Sequence, residues 1–452
     1  MGVQENMLAS RSEVADARHS AAPDAPPAPR TLRETGLSPE MIIGLTLKTL
    51  HAQGARTGRE IAECIRLPFH ILDSILLDLQ QRQLVVVPRI RDHQRGSYIF
   101  ELTSAGRSRA QDEMESSLYV GPAPVPLAEY RHWIERQSVL GTSIEPRVIM
   151  GELGHLVLSR EILRQLGPAI NSGRSMFLYG HAGNGKTEIA TSIARMLKGK
   201  VFLPYAFEVE GRIIVVHDPS AHETAELQEE GIIGGGAEGS WLAPEVDYDL
   251  RYAHIERPVV FTGGELTLEH LDLRYDTHAK FYRAPIQVKA NGGVLVIDDL
   301  GRQIVRVDDL LNRWLVPLES RVDYLTLHTG HTFSVPFDCL IVFSTNLDPS
   351  ELVDEAFLRR IHYKINVANP TREEYEEIFR KCCESRSIAF APERVDQIYR
   401  DFYEARGIPP RGCHPRDLVL HVCDMARFEH RNPTLTPEEV EHACRTYFLD
   451  ER

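Results

Sequence analysis

At 452 residues the chain is too long for one hydrophobic core, and 42% hydrophobic with 26% charged residues is the composition of a soluble globular protein of two or three domains. A formal net charge of −14 argues against broad attraction to nucleic acid or to an anionic membrane. The seven cysteines contain no C-x-x-C pair, no apolar run reaches the ~20 residues of a membrane helix, and no basic-then-apolar leader is visible, so a cytoplasmic protein with reduced thiols and no membrane insertion is expected.

Residues 1–34 are rich in Ala, Pro, Ser and charge and read as a disordered tail. From 35 to 115 the pattern is that of a small compact domain. Ser38-Pro39-Glu40 starts a helix, shorter ones fit Gly58 to Ile65 and Pro68 to Gln83, and two strands follow, Leu84 to Pro88 and Tyr98 to Leu102. Three helices and a hairpin resemble a winged helix. The third helix carries Asp73 and Asp78 with Arg82 as its only arginine, a poor match to a major groove, whereas the hairpin is basic at Arg89, Arg91 and Arg95. Docking to protein and binding to DNA both stay open.

Residues 116–143, with Gly121-Pro122-Ala123-Pro124-Val125-Pro126, read as a stiff linker, and a second domain is expected over 144–368. In it, Met176-Phe177-Leu178-Tyr179 is a buried-strand pattern. Gly180-His181-Ala182-Gly183-Asn184-Gly185-Lys186-Thr187 follows, and an apolar-periodic helix begins at Glu188. Strand, glycine-rich turn and helix is the setting in which G-x-x-x-x-G-K-[ST] cradles phosphate. Backbone N–H groups surround one phosphate, Lys186 reaches the outer ones and the Thr187 hydroxyl sits on Mg²⁺. The backbone around Leu153 to Val157 is a candidate contact for adenine. An insertion at about 205–280 holds sixteen Asp and Glu against five Lys and Arg, so it should repel a phosphate backbone. Its Gly231 to Trp241 segment and Lys280-Phe281-Tyr282-Arg283 either enter a central pore or pack within the subdomain.

Gly292 to Leu300 is a second buried strand, ending in Asp298-Asp299. In a phosphate-loop fold the first acid holds Mg²⁺ and the next activates the attacking water. Cys339 to Asn346 is a further apolar strand ending in an amide, and Glu355 to Ile361 carries Arg359 and Arg360. From 369 to 452 the chain is helical, with capping-box spacing at Thr371/Glu374 and Thr436/Glu439.

This order of motifs resembles an AAA+ ATPase over roughly Ile144 to the C-terminus. The resemblance implies an α/β protein: an AAA+ P-loop parallel sheet core with a helical lid at 369–452, preceded by the small α+β winged helix and the tail. It implies Asn346 as the sensor near the γ-phosphate and Arg360, with Arg359 beside it, as the finger acting on a neighbour's nucleotide. Arg416 in Pro415-Arg416-Asp417-Leu418 would be the second sensor. The stretch from Ala290 through Leu311–Leu318, Glu319-Ser320-Arg321-Val322, Gly330 and Val335-Pro336-Phe337 is similar to the MoxR, magnesium-chelatase and sigma54-activator branch, and to bacterial proteins described as ATPases with chaperone activity. One departure stands out, since that family usually has Asp-Glu where this chain has Asp298-Asp299.

The expected function is therefore that of an oligomeric AAA+ ATPase, a ring such as a hexamer, which binds ATP and Mg²⁺ through Gly180, Gly183, Asn184, Gly185, Lys186, Thr187, Glu188 and Asp298. Asp299, Asn346, Arg359, Arg360 and Arg416 would serve hydrolysis, and the work would be remodelling of a protein client. Two alternatives are a nucleotide-gated DNA-binding or regulatory ATPase using the winged helix, and an ATP-held scaffold with weak hydrolysis.

Overall fold

A computed structural model describes residues 25–89, 94–197, 199–225 and 248–448. They form two compact units. One unites the described residues up to Gln137 with Gly199–Arg257 and Leu273–Pro285; the other is built from Ser138–Lys198, Pro258–Asp272 and Ile286–Arg452. Among the described residues no helix is long and apolar enough to cross a membrane.

The second unit is an α/β fold around a five-stranded, wholly parallel sheet. Its strands are β1 (Met176–Tyr179), β2 (Val259–Thr262), β3 (Val294–Ile297), β4 (Leu340–Thr345) and β5 (Tyr363–Asn366), in spatial order β2-β3-β4-β1-β5. The three central strands are the ones with continuous apolar sequence. β3 and β4 are buried at every position, and β1 at all but Tyr179. That is the pattern of a parallel sheet covered on both faces. Helices α1 (Arg160–Asn171) and α2 (Lys186–Met196) pack Ile162, Leu166, Ile189 and Ile193 against Met176, Leu178, Val294, Val296, Leu340 and Val342. Because all five strands run the same way, the loops leaving β1, β3 and β4 emerge at one edge of the sheet. An antiparallel hairpin, Val322–Thr326 with Thr332–Pro336, precedes β4.

The chain leaves β5 for a lid with its own core. Helices α3 (Arg372–Glu384), α4 (Pro392–Ile398), α5 (His414–Phe428) and α6 (Pro437–Tyr447) bury Tyr375, Phe379, Ile398, Phe402, Leu418, Val422 and Val440. Thr371 with Glu374 and Thr436 with Glu439 form reciprocal capping boxes. Tyr399–Glu404 continues α4 as a π-helical turn.

In the first unit the helices Pro39–Gln53, Gly58–Ile65 and Phe69–Gln81 pack on a small antiparallel sheet of Arg56–Thr57, Ile99–Leu102 and Val85–Arg89. A fourth helix, Ser104–Ser116, was not expected. Arg95 bonds Asp73 at 2.8 Å, so a hairpin cation and a third-helix acid satisfy each other; Arg91 lies outside the described residues.

Three expectations about boundaries change. The stretch expected as a linker contains the strand Val125–Pro126, paired with Ala206–Val209, and the helix Leu127–Arg136. That helix forms because Tyr130, Trp133 and Ile134 recur at helical spacing and are buried. The acidic insertion is not one body. Core strand β2 lies inside it, a four-residue edge strand flanked by polar sequence, while the segments on either side join the first unit. There Ala206–Val209, Arg212–Val215, Phe281–Arg283 and Arg274–Asp276 extend one sheet, so Tyr282 is 1% exposed and Phe281 meets Tyr119 edge-on: the Lys280–Arg283 segment is packing. The glycine-rich Gly231–Trp241 segment lies outside the described residues.

Of the tail, residues 25–34 are described and are held in place. Asp249 N–H donates to Pro26 O at 2.7 Å, and His70 Nε2 lies 2.9 Å from Arg30 O. The fastening beneath them is Arg251, 1% exposed, which pairs with Asp249 at 2.7 Å and donates to the carbonyls of Thr35 and Pro124. A charge this deeply buried is tolerated because every face of the guanidinium finds an acceptor.

Candidate functional site

The loop leaving β1 wraps through Gly183 and Gly185, at φ 86° and 84°, into the first turn of α2. Its helix N-terminus points a set of N–H groups without intrahelical acceptors into a cleft of about 790 Å³. Lys186 begins the helix and is 6% exposed. Its ammonium donates to Gly180 O and His181 O at 2.9 Å each and to Asn346 Oδ1 at 2.7 Å. Burial lowers the Lys186 pKa, while Asp299 and Asp298 oppose the shift.

Asp298 and Asp299 leave β3 side by side. The Thr187 hydroxyl donates to Asp298 Oδ2 at 2.7 Å, and Asn346 Nδ2, at the end of β4, donates to Asp299 Oδ1 at 2.7 Å. Ammonium, amide and carboxylate therefore form one chain, Lys186 to Asn346 to Asp299. Asp299 sits at φ 52°, in the left-handed region. Aspartate enters that region more readily than longer side chains, which gives a local reason for Asp where Glu was expected.

The donor set suits a hard cation bound together with phosphate. Thr187 and Asp298 offer adjacent oxygens, and Mg²⁺ is ordinarily held by one or two such protein groups with the rest of its shell from phosphate and water. Among the described residues no three or more His, Cys, Asp or Glu are grouped so as to hold a metal ion.

Gly183, Asn184, Gly185, Lys186, Thr187, Glu188, Asp298, Asp299, Asn346 and Arg416 all line the cleft, with His155, Leu156 and Val157 at its margin. Arg416 comes from the first turn of α5, two-thirds exposed and held by Asp417 at 2.9 Å. Glu188 bonds His155 and Arg195, both at 3.1 Å. Arg359 and Arg360 are elsewhere. They line a second cavity of about 500 Å³ together with Arg174, Arg321 and His362, with Arg360 paired to Glu319 at 3.1 Å and Arg359 to Glu355 at 2.7 Å.

The sequence reading missed several groups around these cavities. Arg302, Lys381, Arg386, Gly412 and Cys413 line the cleft, and Arg174 lies 2.6 Å from His362 Nε2 in the other cavity. Arg302, three residues beyond Asp299, and Gly412 and Cys413, just before Pro415-Arg416, had a motif nearby; Lys381, Arg386 and Arg174 had none.

A family model described as Domain of unknown function (DUF8689) matches residues 371–446, most of the lid. No curated protein matches the chain. Solved structures similar to it include NtrX from Brucella abortus in complex with ADP, 14% identical, with 64% of this chain aligned to 56% of that one at a TM-score of 0.38. NtrX in complex with ATP gives 15% identity, 65% and 58% coverage and a TM-score of 0.38. The RuvB Holliday junction branch migration motor of Thermotoga maritima gives 14%, 64% and 70%, and 0.34. The chain thus spans little more than half the length of the NtrX chains it aligns with.

Proposed function

We propose that this chain is an ATPase of the AAA+ type, acting as a homo-oligomeric ring whose nucleotide sites are shared between neighbouring copies. The observation that carries the reading is the convergence of Lys186, Thr187, Asp298, Asp299 and Asn346 at one end of a parallel sheet, joined by hydrogen bonds of 2.7 Å. In this reading the loop N–H groups and Lys186 bind the phosphates of ATP, and Thr187 and Asp298 hold Mg²⁺, which when bound neutralises charge on the phosphates. Asp299 orients the attacking water and accepts its proton, with Asn346 fixing the carboxylate. Arg416 reaches the outer phosphate from the lid. Arg360, with Arg359, serves the site of a neighbouring copy, because it lines a cavity apart from its own phosphate loop.

The first unit is read as the docking module for a protein client that the ring remodels. The Asp73–Arg95 pair supports that choice over DNA, since it takes up a hairpin cation that a phosphate backbone would need. Calorimetry with ATP in the presence of Mg²⁺ tests the assignment. The wild type binds and Lys186→Ala binds about a hundredfold or more weakly; wild-type affinity in that variant sinks the phosphate-loop reading.

A further inference from the structure

The lid touches the phosphate loop at one residue above all. Asn184 belongs to the glycine-rich loop, yet its side chain bonds only to segments far along the chain. Its Nδ2 donates to Asn369 Oδ1 at 2.9 Å and to Val367 O at 3.2 Å. Its Oδ1 accepts the N–H of Gly412 at 3.1 Å. Val367 and Asn369 lie where the chain leaves β5 for the lid, and Gly412 lies two residues before α5, whose first turn carries Arg416.

The packing around these bonds leaves no slack. A Cβ built on Gly183 would stand 2.4 Å from Cys413 Sγ, and one on Gly412 would stand 3.2 Å from Gly183 O and 3.5 Å from Asn184 Cα. Gly183, at φ 86°, has no room for a side chain without moving Cys413, and one at Gly412 would press on the backbone of the phosphate loop. Behind them the Arg411–His414 turn is anchored in the lid core, where His414 Nδ1 lies 2.9 Å from Tyr403 Oη and accepts the Arg411 N–H at 3.3 Å. Tyr403 is bonded in turn to Tyr375 at 2.8 Å.

We propose that Asn184 is a positioning residue that latches the start of the lid and the turn before α5 to the phosphate loop and so sets where Arg416 stands in the cleft. A phosphate loop reshaped by its ligand drags the lid's entry and the turn that carries Arg416 through one side chain. This rests on the nucleotide-site reading above and adds to it the element through which the lid follows the site.

The test compares the full-length wild type with Asn184→Ala, Arg416→Ala and the double variant. Turnover of Mg-ATP is measured in all four, and amide hydrogen exchange is measured without nucleotide. Loss of the latch is expected to lower kcat about tenfold, with KM shifted less than about threefold, within the range typical of coupling between sites. Because Asn184 acts through Arg416, the double variant should be no slower than the slower single one. Exchange at 411–413 should rise about tenfold in Asn184→Ala, while the helix from Lys186 to Met196 keeps its protection. Losses that multiply in the double variant, or unchanged exchange at 411–413, overturn the latch alone. Absence of ATP binding by the wild type overturns the nucleotide-site reading, and the latch's role in turnover falls with it.

Discussion

Two cavities in the same unit divide the chemistry between them. The larger, at the end of the sheet, holds one buried lysine beside two carboxylates, with hydroxyl and amide groups all hydrogen-bonded into a fixed array. The smaller is lined by four arginines, Arg174, Arg321, Arg359 and Arg360, and one carboxylate, Glu319. The first carries the phosphate loop and the paired carboxylates, with Arg302, Lys381, Arg386 and Arg416 also in its lining. The second is dominated by arginine and has no phosphate loop. On the proposed reading the difference is one of roles: the first cavity binds the nucleotide of its own chain, and Arg359 and Arg360 in the second serve the site of a neighbouring copy.

The largest effect that could break this comparison comes from the loop lysine. Lys186→Ala should weaken ATP binding by about a hundredfold or more and abolish turnover, as removal of a charge-assisted contact to phosphate requires; titration calorimetry reads it directly. Next is Arg360→Ala, expected to bind ATP like the wild type and to lose about a thousandfold in kcat. Mixing it with Asp299→Asn should restore turnover, because a sound cleft on one copy then meets a sound arginine on another. Asp299→Asn alone should keep ATP affinity and lose about a hundredfold in kcat, the scale of a lost general base. Single-turnover kinetics would show the loss in the chemical step.

The last expected effect is on stability rather than turnover and sharpens the account of the lid. Burial, helped by Arg411, pushes the His414 pKa down to about 4 from an ordinary 6.5. The fold therefore disfavours the charged imidazole. His414's contribution is fully present above about pH 6.5 and is lost as pH falls through 4, on the order of 3 kcal/mol in all. Thermal melts between pH 7 and 4 should show this decline, and His414→Gln should flatten it.

Much of the cleft was legible because its parts lie on short apolar runs with polar ends. β1, β3 and β4 are each four to six residues of buried sequence, and the groups that matter come directly after them. What was hidden depends on pairings across long stretches of chain. β2 is one half-buried edge strand among acidic residues, and nothing local marks Val259–Thr262 as a partner for Val294–Ile297. The Asn184 contacts join residues 183 to 228 positions apart, so no window of sequence could carry them. The helix Leu127–Arg136 was legible, since Tyr130, Trp133 and Ile134 fall on one face, but the proline-rich stretch before it drew attention away.

The most direct measurement is ATP turnover per subunit across a range of protein concentrations, with mass followed by light scattering with and without ATP. Turnover that rises in step with assembly is the result expected of sites shared between copies. Turnover per subunit that stays constant while the mass grows, or full activity from a monomer, would contradict it.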